Sequence, residues 1–153
     1  MMIGNELPMH ATQKKFGYPQ TLIKDFTHWC ILYRPVQATL GALVLVSKHD
    51  AVSLGTLPSA AYIELADCTR VLEKALMAFR PYDKLNYLAL MMVDPHVHFH
   101  VLPRYAKVQT FDDAVFPDTG WPGAPNLKEA PLLSDQTVKK LHTSLLDAFG
   151  QVV

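Results

Sequence analysis

An excess of charge of either sign is missing from this chain of 153 residues: fourteen Lys and Arg stand against fourteen Asp and Glu, a formal net charge of zero. A general binder of nucleic acid or of an anionic membrane surface needs a basic surplus, so neither is expected as a partner. Cysteine is scarce as well. Cys30 and Cys68 are too few for a disulfide framework or a zinc cluster; Cys30 lies in a strand-like run and Cys68 in a helix-like run, so both read as small buried hydrophobes. No apolar stretch reaches the roughly 18 residues that a membrane span needs. The opening Met1-Met2-Ile3-Gly4-Asn5-Glu6 has neither the basic flank nor the apolar length of a secretion signal. A reducing cytoplasm is the expected compartment. Half the residues are hydrophobic, which excludes a disordered chain and allows one domain over residues 1–153 with a sizeable core.

Gly17 and Pro19 punctuate an aperiodic start, so residues 1–24 read as an arm holding at most one short element. Residues 28–34 (HWCILYR) and 41–47 (GALVLVS) read as two strands joined by a hairpin-type connection. From residue 58 to 79 the period is helical, with Ile63, Ala66, Leu72, Ala75, Leu76 and Phe79 on the predicted apolar stripe. A third strand is expected over 85–92. After a tight turn at Asp94-Pro95 a fourth follows over 96–104, the two forming an antiparallel hairpin. Residues 106–133 are rich in Pro and Gly and read as loop, of a length that is usually functional or mobile. Ser134 is a candidate N-cap for a last helix over 134–150, with Leu133 and Val138 as a staple. Its stripe is Val138, Leu141, Leu145, Leu146 and Phe149, and Gly150 is its candidate C-terminal cap. The fold class is α+β: an antiparallel sheet of about five strands with two helices.

Within the fourth strand, histidine occupies alternate positions: His96-Val97-His98-Phe99-His100-Val101-Leu102. Alternation is the strand period, so the three imidazoles are expected on one face and Val97, Phe99 and Val101 on the other. Three readings compete. The histidines can simply decorate a solvated face. They can offer three nitrogens to zinc, although three rings along one straight strand converge poorly on a point that must lie about 2 Å from each. Or the middle ring, His98, attacks an electrophile such as phosphorus while its neighbours handle charge and protons, and an adjacent histidine protonates the leaving group. Geometry favours the nucleophile. Activity is then expected to fall on the acid side as His98 gains a proton, with His100 setting an alkaline limb.

The run matches, position by position, the His-φ-His-φ-His-φ-φ motif of the histidine triad (HIT) family, and Pro103-Arg104 continues as in many members. The resemblance extends over roughly residues 25–105, through Asn86, the helix at 58–79 and the strand pair at 28–47, and more weakly to the last helix. The chain resembles a bacterial-type branch of nucleotide hydrolases. The resemblance implies nucleotidyl hydrolase or transferase chemistry at an α-phosphate, of phosphoramidase or dinucleoside polyphosphate hydrolase type. In it His98 is the covalent nucleophile, His100 lies near the phosphate and leaving group, His96 supports the site, and Asn86 lies near the phosphate. It also implies a homodimer and a small nucleotide substrate, and calls for no cofactor or metal. A non-catalytic nucleotide-binding module with the same fold, and a metal-dependent hydrolase, stand as alternatives.

Two departures from the family pattern matter. The polar glycine-glutamine-serine stretch that often precedes the triad is replaced by Met91-Met92-Val93-Asp94-Pro95, and Gly41 is followed by Ala42 where many members carry a fourth histidine. Phosphate contacts are therefore expected from backbone amides, Arg34 or Arg104. The apolar residues Phe111, Phe116 and above all Trp121, in the Pro/Gly-rich loop, are candidates to cover a base by stacking; Trp121 can equally be a loop anchor.

Overall fold

The computed structural model describes residues 7–152; the reading of the first six residues lies outside them. Five strands form one antiparallel sheet in the order β1-β2-β3-β5-β4: β1 (Leu22–Asp25), β2 (Trp29–Tyr33), β3 (Leu43–Ser47), β4 (Lys84–Leu88) and β5 (His98–Arg104). Two long helices, α2 (Ser59–Phe79) and α3 (Asp135–Gly150), and a short α1 (Ala11–Lys15) complete the α+β architecture, with a separate hairpin of β6 (Gln109–Phe111) and β7 (Ala114–Phe116).

The central strands are buried on both faces, which is why their sequences are continuous apolar runs rather than alternating ones. One face carries Trp29, Ile31, Tyr33, Leu43, Leu45 and Val101 into a core with Leu72 and Leu76 of α2 and Leu141, Leu145 and Phe149 of α3. The other carries Cys30, Leu32, Val44 and Val46, which pack with Phe16 from the N-terminal segment. The β3–β5 register sets Val44 opposite His100 and Val46 opposite His98, so two triad imidazoles share this second face. Both cysteines are buried and unpaired, as expected. The turn between β2 and β3 needs Gly41: its φ is +86°, and an added Cβ would lie 3.2 Å from the Phe79 ring.

Several expectations are corrected. The N-terminal arm supplies both α1 and most of an edge strand, β1, which pairs with the neighbouring β2; a register shift between Leu22 and Lys24 interrupts the alternation that would have marked it. The third strand stops at Leu88 rather than Met92, and Met91 takes a left-handed φ of +45° that breaks the ladder. Accordingly β4 and β5 do form an antiparallel pair, but the link runs over residues 89–97. The fourth strand starts at His98, so His96 stands ahead of it; Val97 bonds out of register to Ala51. On α2, Ile63 and Ala66 face outward and the buried stripe runs through Ala61, Cys68, Leu72, Ala75 and Leu76; the first turn packs through Ala61, whose carbonyl accepts from the Trp29 indole at 2.7 Å. Ser134 does cap α3, accepting from the Thr137 amide, and Leu133 and Val138 both pack on the core. Leu146 is instead exposed, and Gly150 is the last helical residue without a left-handed turn. Inside the loop-rich segment, the β6–β7 hairpin turns at Asp112, whose φ is +54°.

Candidate active site

β5 presents His98 and His100 side by side, both nearly inaccessible, with ring centroids 5.1 Å apart and planes at 84°. Their partners fix where each proton sits. His98 Nδ1 lies 2.6 Å from the His96 carbonyl oxygen. A carbonyl can only accept, so Nδ1 carries the hydrogen and the Nε2 lone pair is left for chemistry. At His100 the assignment is reversed. The Arg34 Nε–H donates to His100 Nδ1 at 3.3 Å, and a guanidinium can only donate, so the neutral ring carries its hydrogen on Nε2. The pair therefore offers one lone pair and one N–H donor.

Burial, the Arg34 guanidinium and His98 together push the His100 pKa down to about 4. The ring is neutral at physiological pH, which overturns the expectation that an imidazolium at His100 sets an alkaline limb; its Nε2–H is available as a hydrogen-bond donor. Arg34 itself is buried, and desolvation lowers its pKa. Gln37 braces the turn behind it, donating to the Arg34 and Ala42 carbonyls at 2.7 and 2.8 Å and accepting from the Gly41 amide at 3.0 Å.

His96, just before the strand, is held at both nitrogens. Nε2 lies 3.0 Å from an Asp50 carboxylate oxygen and Nδ1 lies 2.9 Å from the Thr12 hydroxyl. Its ring stacks on His10 with centroids 3.9 Å apart and planes within 8°. His10 donates from Nε2 to the Ser47 carbonyl at 2.6 Å and accepts from the Gln13 amide at Nδ1, so both nitrogens are used structurally. Desolvation lowers its pKa. Phe16 completes the enclosure, its ring 5.6 Å from His98 and 5.9 Å from His100.

The other sequence candidates fall elsewhere. Arg104 is 3% exposed and its guanidinium is taken up by the protein: Asp118 accepts from Nε and Nη2 at 2.5 and 2.9 Å, Asn86 Oδ1 from Nη1 at 2.7 Å, and the Gly123 carbonyl from Nη2 at 3.0 Å. That bond fixes the Asn86 amide with its NH₂ end turned away from Arg104. Trp121 is half-buried within the segment that Arg104 ties down, its amide bonded to the Asp118 carbonyl. Phe116 and Phe111 are drawn into the core, Phe111 against Phe79, so of the three aromatics only Trp121 lies outside it. Sequence reasoning missed His10, Thr12, Phe16 and Asp50. The one local signal was the spacing of His10 and Gln13, which form a reciprocal capping box at the start of α1.

No protein-family model matches this chain, and no curated protein matches it in sequence. Solved structures match it in shape. A histidine triad protein from Marinobacter aquaeolei VT8 aligns over 95% of this chain and 100% of its own, with a TM-score of 0.72 and 18% identity. One from Sinorhizobium meliloti 1021 covers 93% and 96%, with a TM-score of 0.71 and 16% identity. One from Bradyrhizobium japonicum covers 94% and 98%, with a TM-score of 0.67 and 24% identity. The chain has the histidine triad fold, with the triad residues at the head of β5.

Proposed function

We propose that this protein, read as one domain and as a member of a bacterial-type branch of the histidine triad family, is a nucleotidyl hydrolase or transferase that acts at an α-phosphate through a covalent His98 intermediate. The observation that carries the reading is the 2.6 Å bond from His98 Nδ1 to the His96 carbonyl, which leaves Nε2 as the one unprotonated nitrogen of the ring. Attack by Nε2 forms a nitrogen–phosphorus bond. The bond from phosphorus to the leaving group breaks, and the leaving group departs with its electron pair and takes its proton from solvent. The ring then carries positive charge with Nδ1 still protonated, and the His96 carbonyl stabilises it. Water attacks phosphorus and the nitrogen–phosphorus bond breaks with its electron pair returning to Nε2, which restores the imidazole and releases the nucleotide monophosphate; the proton lost by water passes to solvent.

His100 donates its Nε2–H to the phosphate rather than transferring a proton, and Arg34 adds positive charge directly behind it. The Asn86 amide is the adjacent donor, and Arg104 serves binding by holding the 118–123 segment so that Trp121 covers the base. Four of the six triad nitrogens are committed to a carbonyl, a carboxylate, a hydroxyl and a guanidinium, and of the two that remain only His98 Nε2 has a lone pair, which opposes the metal reading. β4 is an edge strand, and the exposed Leu90, Met92 and Val93 follow it; we infer that a second copy pairs here to give a homodimer.

The reading is tested by acid-free quenching of the protein with a radiolabelled adenylyl substrate, which is expected to trap acid-labile label on the chain. His98→Ala is expected to abolish label and nearly all turnover while nucleotide monophosphate still binds. Turnover in that variant within about tenfold of the parent would overturn covalent catalysis.

A further inference from the structure

Every ring of the triad is touched by the same short stretch of chain. Residues 10–16 stack His10 on His96, set the Thr12 hydroxyl on His96 Nδ1, and lay Phe16 against both His98 and His100. Thr12 is the most connected of these. Its oxygen also accepts the His96 backbone N–H at 3.3 Å, so one hydroxyl grips both the ring and the main chain of His96. The Asp50 carboxylate can only accept, so His96 donates from Nε2, and Nδ1 of the neutral ring accepts from the Thr12 O–H. Lys15, two residues beyond Gln13, pairs with Asp94 at 3.0 Å and ties the same helix to the loop that leads into β5. His96 lies ahead of the strand; Thr12 holds its backbone N–H and its ring, while the next amide, Val97, is bonded to the Ala51 carbonyl.

We propose that residues 10–16 are a positioning clamp for the triad and that Thr12 is its positioning residue: by fixing His96, Thr12 places the carbonyl that holds His98 in the tautomer with a free Nε2. Thr12 touches no reacting atom in this scheme. It acts through His96, as a group that orients another and keeps the reacting geometry from wandering. The proposal rests on the reading of His98 as the nucleophile, but its structural half, that Thr12 governs the His98 tautomer, stands independently.

Thr12→Val removes the hydroxyl with little change of shape, and Thr12→Ser keeps it. With an adenylyl substrate, Thr12→Val is expected to lower kcat by about tenfold to a hundredfold, the scale of loss for misplaced reacting groups, with KM unchanged; Thr12→Ser is expected to retain the parent rate. A merely structural role would not split the parameters in this way or be rescued by serine. Two-bond proton–nitrogen NMR of the ring reads the tautomer directly. The parent is expected to show His98 with a protonated Nδ1 and a bare Nε2, and Thr12→Val a mixture of tautomers. An unchanged His98 tautomer in Thr12→Val overturns the clamp whatever the rates are. If the parent turns over no nucleotidyl substrate, the functional reading fails, yet the NMR comparison still decides the clamp. Should Thr12→Val not fold, the parent alone decides: a slowly exchanging Thr12 hydroxyl proton with a cross-peak to the His96 ring supports the proposal, and rapid exchange overturns it.

Discussion

At the scale of single residues, charge and burial act together on His100. Unfolded, its imidazole titrates at the ordinary value of 6.5; folded, burial and Arg34 hold it at about 4. A base whose folded pKa is depressed binds fewer protons in the native state than in the unfolded state between those two values. Stability is therefore complete above about pH 6.5 and is lost as pH falls towards 4, by about 3 kcal/mol in all for this group. Denaturant titrations at pH 7, 5.5 and 4.5 are expected to show that decline, and His100→Gln is expected to flatten it. The opposite lesson comes from Arg104 and Asp118, whose side chains are 4% and 6% exposed. Neither charge reaches water, so removing one leaves the other stranded. Asp118→Ala is expected to cost about 3–5 kcal/mol in chemical denaturation, far more than an exposed ion pair would.

At the scale of elements, the segment between β5 and α3 divides into two kinds of chain. The β6–β7 hairpin belongs to the core through Phe111 and Phe116, whereas the following turn is held mainly from one point, the Arg104 guanidinium. Trp121 belongs to the second kind and to neither core cluster. Trp121→Ala is accordingly expected to weaken nucleotide affinity by about 1–3 kcal/mol, the range for a lost base–aromatic stack, with little change in thermal midpoint. Affinity and midpoint measured on the same samples check this. Unchanged affinity with a midpoint lower by many degrees would make Trp121 an anchor of the loop. The 89–97 link contrasts with both. It carries exposed Leu90, Met92 and Val93 up to the triad and is held by α1 through Lys15–Asp94 and Thr12–His96, with Val97 bonded to Ser47 of β3 and to Ala51.

At the scale of the whole molecule, the sheet has two unequal faces. α2 and α3 cover one with large aliphatic side chains, and the N-terminal segment covers the other, where His98 and His100 lie. A thin cover of one short helix leaves the histidines desolvated yet close to the surface, a setting that suits a nucleophile needing both a dry flank and a substrate path. The sheet's β4 edge stays open. Light scattering is expected to give the mass of two chains, and a single-chain mass undiminished by concentration would overturn the proposed dimer. Among the described residues no helix is long and apolar enough to cross a membrane.

What the sequence determined by itself follows from interactions that are local or periodic. The two buried strands announced themselves as apolar runs, α2 as a helical stretch ended by Pro81, α3 through the Ser134 cap, and the triad through strict alternation. Only tertiary structure decided the rest, because it depends on residues far apart in the chain. The tautomer of His100 is set by an arginine sixty-six positions away, and that of His98 by a carbonyl only two residues back that meets the ring where the chain enters β5. Thr12 meets His96 across eighty-four positions, and no spacing pattern encodes such a pairing. Arg104, beside the motif in sequence, spends its charge on Asp118 because the closing loop brings that carboxylate to it. Periodicity reports which face a side chain takes; it carries no information about what the opposite wall places against that face, and there the protons of this site are assigned.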